Sequence, residues 1–238
     1  MNETNVLNNL IYVWPALLMG AIIPAGVLLT LFFGKKKKQI SFKSALYGFG
    51  TFFVVLAAVA VLLLVFARVF LTGVSISAEA DANSYIYLGG AAVLILFWLL
   101  SEVLKGISFD SAMKSEQKEE AGLAFGSGFI LAQNLLVFGL IFLGELDISQ
   151  AMAFGLLMLM SGGIYILISA VGYQMALEKQ RYAGAAVALS YFALFAVMLI
   201  FSNVYITYGC VAAVLVFNLI IAYVTLPVPF KKKKEGSV

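Results

Sequence analysis

The chain contains no histidine and only one cysteine, Cys210, among its 238 residues. The missing imidazole excludes a histidine general base, a Ser–His or Cys–His nucleophile pair and histidine ligation of haem. One cysteine excludes a disulfide within this sequence. A transition-metal site would need mostly carboxylate ligands, which disfavours zinc. We therefore expect no bound metal and no other cofactor.

Charged residues are also scarce. They make up 11% of the chain, whereas 63% of the residues are hydrophobic. Soluble domains average about 25% charged and about 45–50% apolar residues. This excess of apolar side chains predicts an integral membrane protein whose solvent is the lipid bilayer. The first residues, MNETNVLNNL, lack the basic region of a signal peptide, so we expect the first apolar run to be a retained span.

Apolar runs that are long enough to cross a bilayer recur seven times. A spanning helix needs about 20 mostly apolar residues. The runs cover residues 9–33, 45–67, 85–104, 121–143, 151–176, 183–201 and 204–229. Pro15 and Pro24 lie within the first run and should kink or break its helix. The pattern predicts an all-α, polytopic transmembrane bundle of about seven spans, with residues 1–238 forming a single membrane domain.

Basic residues favour one side of this predicted bundle. All the lysines and arginines except Arg68 lie at or after the ends of spans 1, 3, 5 and 7. The positive-inside rule then predicts an external amino terminus and a cytoplasmic carboxyl terminus in a bacterial plasma membrane. Residues 106–120 are expected to form a short cytoplasmic loop. Because topology alone explains the basic clusters, no nucleic-acid partner is expected.

Glu102 is the only carboxylate within any of the seven runs, in the stretch FWLLSEVLKG. Lys105 follows three residues later, so the two side chains share a helical face and can pair. One interpretation is an interfacial ion pair that ends span 3. The other is a carboxylate that faces the bundle interior and has a function.

The fourth run, AGLAFGSGFILAQNLLVFG, combines small residues with two amides. Gly126, Ser127 and Gly128 belong to a small-residue face that would allow close helix packing. Gln133 and Asn134 lie near the middle of the run and need hydrogen-bond partners. These are either neighbouring helices or the lining of a polar pocket. Together with Glu102, they predict a polar seam between spans 3 and 4.

Three stretches in this order resemble one protein family. They are SALYGFGTFF, LGGAAVLILFWLLSEVLKG and AGLAFGSGFILAQNLL. Over about residues 9–145 the chain resembles the YhfC family of bacterial intramembrane metalloproteases, which are relatives of the PrsW and CAAX-processing proteases. The resemblance implies that a glutamate pair followed by a basic residue, and a Gly-His-Gly-x-x-Glu motif on the next span, activate water directly or on a metal.

This chain keeps only part of that pattern. The resemblance places Ser101 and Glu102 at the glutamate pair, Lys105 at the basic position, Gly126, Ser127 and Gly128 at Gly-His-Gly, and Leu131 at the last glutamate. The histidine and two glutamates are therefore replaced. A carboxylate beside an ammonium is a poor base, because the cation stabilises its charged form. Serine and leucine at the other positions do not supply the missing proton transfer or metal coordination.

The resemblance thus predicts a degenerate, non-catalytic member. Its retained cleft would bind a transmembrane peptide or another membrane protein. Glu102 is the only catalytic candidate. The candidate binding residues are Ser101, Lys105, Gly126, Ser127, Gly128, Gln133 and Asn134. One alternative is an active intramembrane protease that uses Glu102 with a helper such as Gln133. Another is the membrane subunit of a transporter, or a bacteriocin-immunity-like protein, with spans 3 to 5 lining a substrate path.

Overall fold

The computed structural model describes residues 3–33, 38–70, 82–113, 120–143, 148–200 and 204–226. These ranges contain seven α-helices and no strand. The helices are α1 (Glu3–Phe33), α2 (Lys38–Phe70), α3 (Ala82–Met113), α4 (Glu120–Leu143), α5 (Ile148–Leu177), α6 (Arg181–Ile200) and α7 (Val204–Thr225). Within the described residues, six helices, all except α6, are long and apolar enough to cross a membrane. The all-α class is confirmed, and the bundle is that expected of a multi-pass membrane protein.

Helix α1 continues through Pro15 and Pro24, so of the predicted kink or break the break does not occur. One local prediction was wrong. Helix α3 continues to Met113, nine residues beyond the predicted end of span 3, and part of the predicted loop is therefore helical. The charged pair suggested a helix end, but Phe109 and Ala112 extend the buried face of α3 by two further turns. Residues 35–37, 114–119 and 227–238, which hold most of the basic clusters, lie outside the described residues.

Helices α4 and α5 form the centre of the bundle. About three-fifths of the span on α4 and two-thirds of that on α5 are buried, whereas less than a third of each of the other four spans is buried. Helix α4 packs against α1, α2 and α5, and α5 also contacts α6 and α7. Helix α3 packs mainly on α2 and α6 and touches α4 and α5 only slightly. It is therefore a peripheral helix.

Glycines set the spacing between α2 and α4. A Cβ atom added at Gly128 would lie 1.9 Å from the Ala45 carbonyl oxygen. One added at Gly48 would lie 2.0 Å from the Phe125 carbonyl oxygen. Each position therefore brings the backbones of the two helices into direct contact. Between apolar helices in lipid, association depends on such close van der Waals packing, because lipid tails are as apolar as the side chains.

Polar contacts fasten α3 to α6. The Trp98 indole N–H donates to the Ala185 carbonyl oxygen at 3.3 Å. Near the start of α6, the Arg181 guanidinium makes a two-pronged ion pair with Asp110, and one of its hydrogen bonds is 3.2 Å long. Just before this arginine, Lys179 takes a left-handed conformation with φ of 63° and closes the turn between α5 and α6. The α3–α6 side of the bundle is thus held by hydrogen bonds as well as by packing.

We predict that Gly48→Ala destabilises the protein and that Gly50→Ala, on the same helix, does not. The methyl group at position 48 would force α2 away from α4, and overpacking of this kind costs about 1–3 kcal/mol. A Cβ at Gly50 would meet no atom within 4 Å. Replacing that helical glycine by alanine should leave the free energy of unfolding unchanged or raise it by up to about 1 kcal/mol. Reversible unfolding in detergent micelles measures both changes, and equal effects would contradict the proposed contact.

Candidate functional site

Glu102 and Lys105 form an ion pair within α3, three residues apart. The side chain of Lys105 is 4% exposed and that of Glu102 is 12% exposed. Both charged groups are therefore largely enclosed by protein. The pairing anticipated from the sequence is present, but it does not lie at the end of a helix, because α3 continues for eight residues beyond Lys105. The carboxylate is both paired and turned towards the bundle.

The ion pair faces α5. A Cβ atom added at Gly172 would lie 3.8 Å from Lys105 Nζ, so the ammonium lies beside a stretch of α5 without a side chain. Glu102 also lies close enough to the Tyr165 hydroxyl to interact with it electrostatically. Ser101, the neighbour of Glu102, is fully buried and donates its hydroxyl proton to the Trp98 carbonyl oxygen at 2.8 Å. Ser101 is thus engaged by its own helix.

The two amides of α4 point to different helices. Gln133 Oε1 accepts a hydrogen bond of 2.9 Å from the Tyr191 hydroxyl on α6. Asn134 Nδ2 donates a hydrogen bond of 2.7 Å to the Gly20 carbonyl oxygen on α1. Adjacent helical residues are separated by about 100° around the helix axis, so the two amide side chains do not point into the same cavity. The two amides and Glu102 do not face each other across a shared space.

Two tyrosines outside the predicted site residues join these groups. Tyr165 on α5 and Tyr191 on α6 are fully buried, and their ring centroids are 4.8 Å apart. The Tyr165 hydroxyl lies within electrostatic range of Glu102, and the Tyr191 hydroxyl donates to Gln133. Six residues form this core polar network, which involves α3, α4, α5 and α6: Glu102, Lys105, Gln133, Tyr165, Ser169 and Tyr191.

The core polar network replaces the seam predicted between spans 3 and 4. Helices α3 and α4 contact each other only slightly, and α5 and α6 provide the connection. The sequence did carry a signal for part of it. Ser161, Tyr165 and Ser169 are four residues apart within an apolar run, and this spacing places them on one face of α5.

The small residues of the resembled motif lie at packing contacts. An added Cβ at Gly126 would lie 2.9 Å from the Ile166 Cα atom on α5, whereas Gly128 abuts Ala45 on α2. Ser127, between them, is fully buried, and its hydroxyl makes no hydrogen bond to the described residues. Gly126 and Gly128 therefore face different helices and do not line one cleft with Glu102.

The chemistry available to the core polar network is hydrogen bonding and charge compensation. It combines one carboxylate, one ammonium, three hydroxyls and one amide. Among the described residues, no three His, Cys, Asp or Glu side chains are grouped so that they could hold a metal ion. General-base catalysis requires a proton acceptor within reach of water. Glu102, the only carboxylate in the network, is already paired.

The described residues thus define an all-helical, apolar bundle with a polar network in its core, compatible with an integral membrane protein. No protein-family model, curated protein or solved structure matches the chain. The YhfC resemblance therefore stays a prediction.

We predict that Lys105→Met strongly lowers the free energy of unfolding. Adding Glu102→Gln to this variant should restore much of the lost stability. Removing one partner of a buried ion pair leaves an uncompensated charge and costs about 3–5 kcal/mol. Replacing both partners by uncharged groups removes that cost. The free energy of unfolding of the two single variants and the double variant, in one detergent, measures the coupling.

Arg181→Met is the matched control for Lys105→Met. It removes the cation of the Asp110–Arg181 pair, whose side chains are about half exposed. An exposed pair contributes at most about 1 kcal/mol. If Lys105→Met and Arg181→Met lowered the free energy of unfolding equally, the Glu102–Lys105 pair would not be desolvated.

Proposed function

We propose that this chain is a multi-pass protein of the bacterial plasma membrane that binds a transmembrane segment of another protein without hydrolysing it. Its amino terminus would be external and its carboxyl terminus cytoplasmic, as the distribution of basic residues predicts. The observation that carries this proposal is the buried Glu102–Lys105 pair. It removes the last carboxylate of the resembled motif from use as a free base and leaves a polar site on a peripheral helix.

The state of the candidate catalytic groups argues against hydrolysis. Glu102 would have to leave Lys105 before it could accept a proton from water, and the buried ammonium would then lack its counter-charge. Gln133, the suggested helper, already accepts a hydrogen bond from Tyr191. An active protease would therefore require both interactions to break in the substrate complex, and an amide cannot take the proton from water.

The position of α3 favours binding. Its apolar side chains Ile95, Leu99, Val103 and Ile107 are exposed and are spaced by four residues, so they form one row along the helix. The polar side of the same helix carries Glu102 and Lys105. A transmembrane segment that packs on this row buries apolar surface of α3, and the part of the Glu102 side chain that stays exposed, 12%, is the polar surface that the ion pair offers to it. Polar contacts between helices of this kind contribute to association in membranes.

The proposal predicts saturable binding without cleavage. The purified protein, labelled with a donor dye at its carboxyl terminus, is reconstituted with acceptor-labelled single-span peptides from bacterial membrane proteins. We expect energy transfer to saturate for a subset of the peptides, because specific binding is limited by sites. Gel electrophoresis of the same samples should show every peptide at full length.

Two variants separate the competing functions. Glu102→Gln should weaken the binding of the selected peptides, whereas Glu178→Gln, which changes an exposed carboxylate at the end of α5, should leave binding unchanged. Peptide cleavage that disappears in Glu102→Gln would establish the protease alternative. Energy transfer that never saturates for any peptide would overturn the binding proposal.

A further inference from the structure

Two buried hydroxyl groups lie next to the ion pair without completing a hydrogen bond. Tyr165 and Ser169 are both 0% exposed and lie one turn apart on α5. Their side chains face each other, but neither oxygen has a partner with hydrogen-bond geometry among the described residues. Buried polar side chains are normally satisfied by protein or by ordered water. These two hydroxyls therefore need an additional partner.

A count of donors shows why the protein groups are insufficient. Lys105 carries three N–H donors, and the described contact to Glu102 uses one of them. Tyr165 and Ser169 add one O–H each. If these two hydroxyls bonded to each other, one O–H would still lack an acceptor. The neighbouring acceptor is the Glu102 carboxylate, which lies across the interface on α3.

A missing side chain leaves space beside the ammonium. Gly172 presents no Cβ to Lys105 Nζ, and the position that such an atom would take is 3.8 Å away. On the α4 side the packing is close, because a Cβ added at Gly126 would lie 2.9 Å from Ser169 Cβ and 3.0 Å from its Oγ. Space for a further partner is therefore on the α3 side, at Gly172. A buried water molecule needs such space and about two to four polar partners.

We propose that Glu102, Lys105, Tyr165 and Ser169 form an internal water-binding site between α3 and α5. The water accepts hydrogen bonds from donors of Lys105, Tyr165 or Ser169 and donates to Glu102. It thereby solvates the ion pair inside the bundle. This site is independent of the proposed binding function, since it concerns the protein without a partner.

The thermal stability of three variants tests the site. Tyr165→Phe and Ser169→Ala each remove one hydroxyl that holds the water, and each should lower Tm by about 2–4 °C in detergent, the shift that corresponds to one lost hydrogen bond in a protein of this size. The double variant should lower Tm by more than either single variant, because the water then loses both of its ligands on α5. Tyr182→Phe is the control. It removes a tyrosine hydroxyl on α6 from a side chain that is 94% exposed and should not lower Tm.

Two results would overturn the proposal. A higher Tm for Tyr165→Phe or Ser169→Ala would mean that the hydroxyls are unsatisfied in the native protein. A double variant that regains the stability of the wild type would mean that the hydroxyls bond only to each other, since replacing both partners of a hydrogen bond can be nearly neutral.

A high-resolution experimental structure gives the direct readout. It should show ordered density within hydrogen-bonding distance of both Tyr165 Oη and Ser169 Oγ in the wild type. The same density should be absent in the double variant. Wild-type density that shows no water there, at a resolution where other buried waters are visible, would refute the site even if the stability changes were as expected.

Discussion

The architecture depends on the direct contact between the backbones of α2 and α4 at Gly48 and Gly128. Apolar helices in lipid gain little from hiding apolar surface, so their association relies on how closely they can approach. A side chain at either glycine would separate the helices by the width of a methyl group or more. Because these glycines are present, α4 lies deep in the bundle, and Phe129 and Gln133 reach its centre.

The burial of α4 and α5 determines how charge is accommodated. Helix α3 contacts the two central helices through Phe109, whose ring packs against Phe125 and Tyr173, and it also carries a carboxylate and an ammonium into the bundle. If these two charged groups faced lipid, their exposure to the hydrocarbon core would cost free energy. Facing α5, they meet Tyr165 and the open backbone at Gly172. The position of α3 is therefore set by charge burial and by its hydrogen bonds to α6, in addition to side-chain packing.

The sequence predicted the class of the fold better than it predicted the site. Long apolar runs indicate membrane helices, and the spacing of Glu102 and Lys105 indicates their pairing. A helix that is apolar on all sides does not reveal which side faces its neighbours. The partners of Gln133 and Asn134 could therefore not be deduced from their positions in span 4. The same reason explains why Tyr165 and Tyr191 were overlooked, since an aromatic ring in an apolar run resembles ordinary packing.

The packing of Gly126 and Gly128 also changes the meaning of the family resemblance. In a protease motif, glycines beside a histidine would serve the reacting centre. Here both glycines contact backbones of neighbouring helices, so they are needed for packing whether or not any chemistry occurs. Their presence is therefore no sign of catalysis, because a scaffold that depends on close helix contacts needs its glycines for stability alone. The residues that can distinguish binding from catalysis are those of the core polar network, where Glu102 is held by Lys105 and Gln133 by Tyr191.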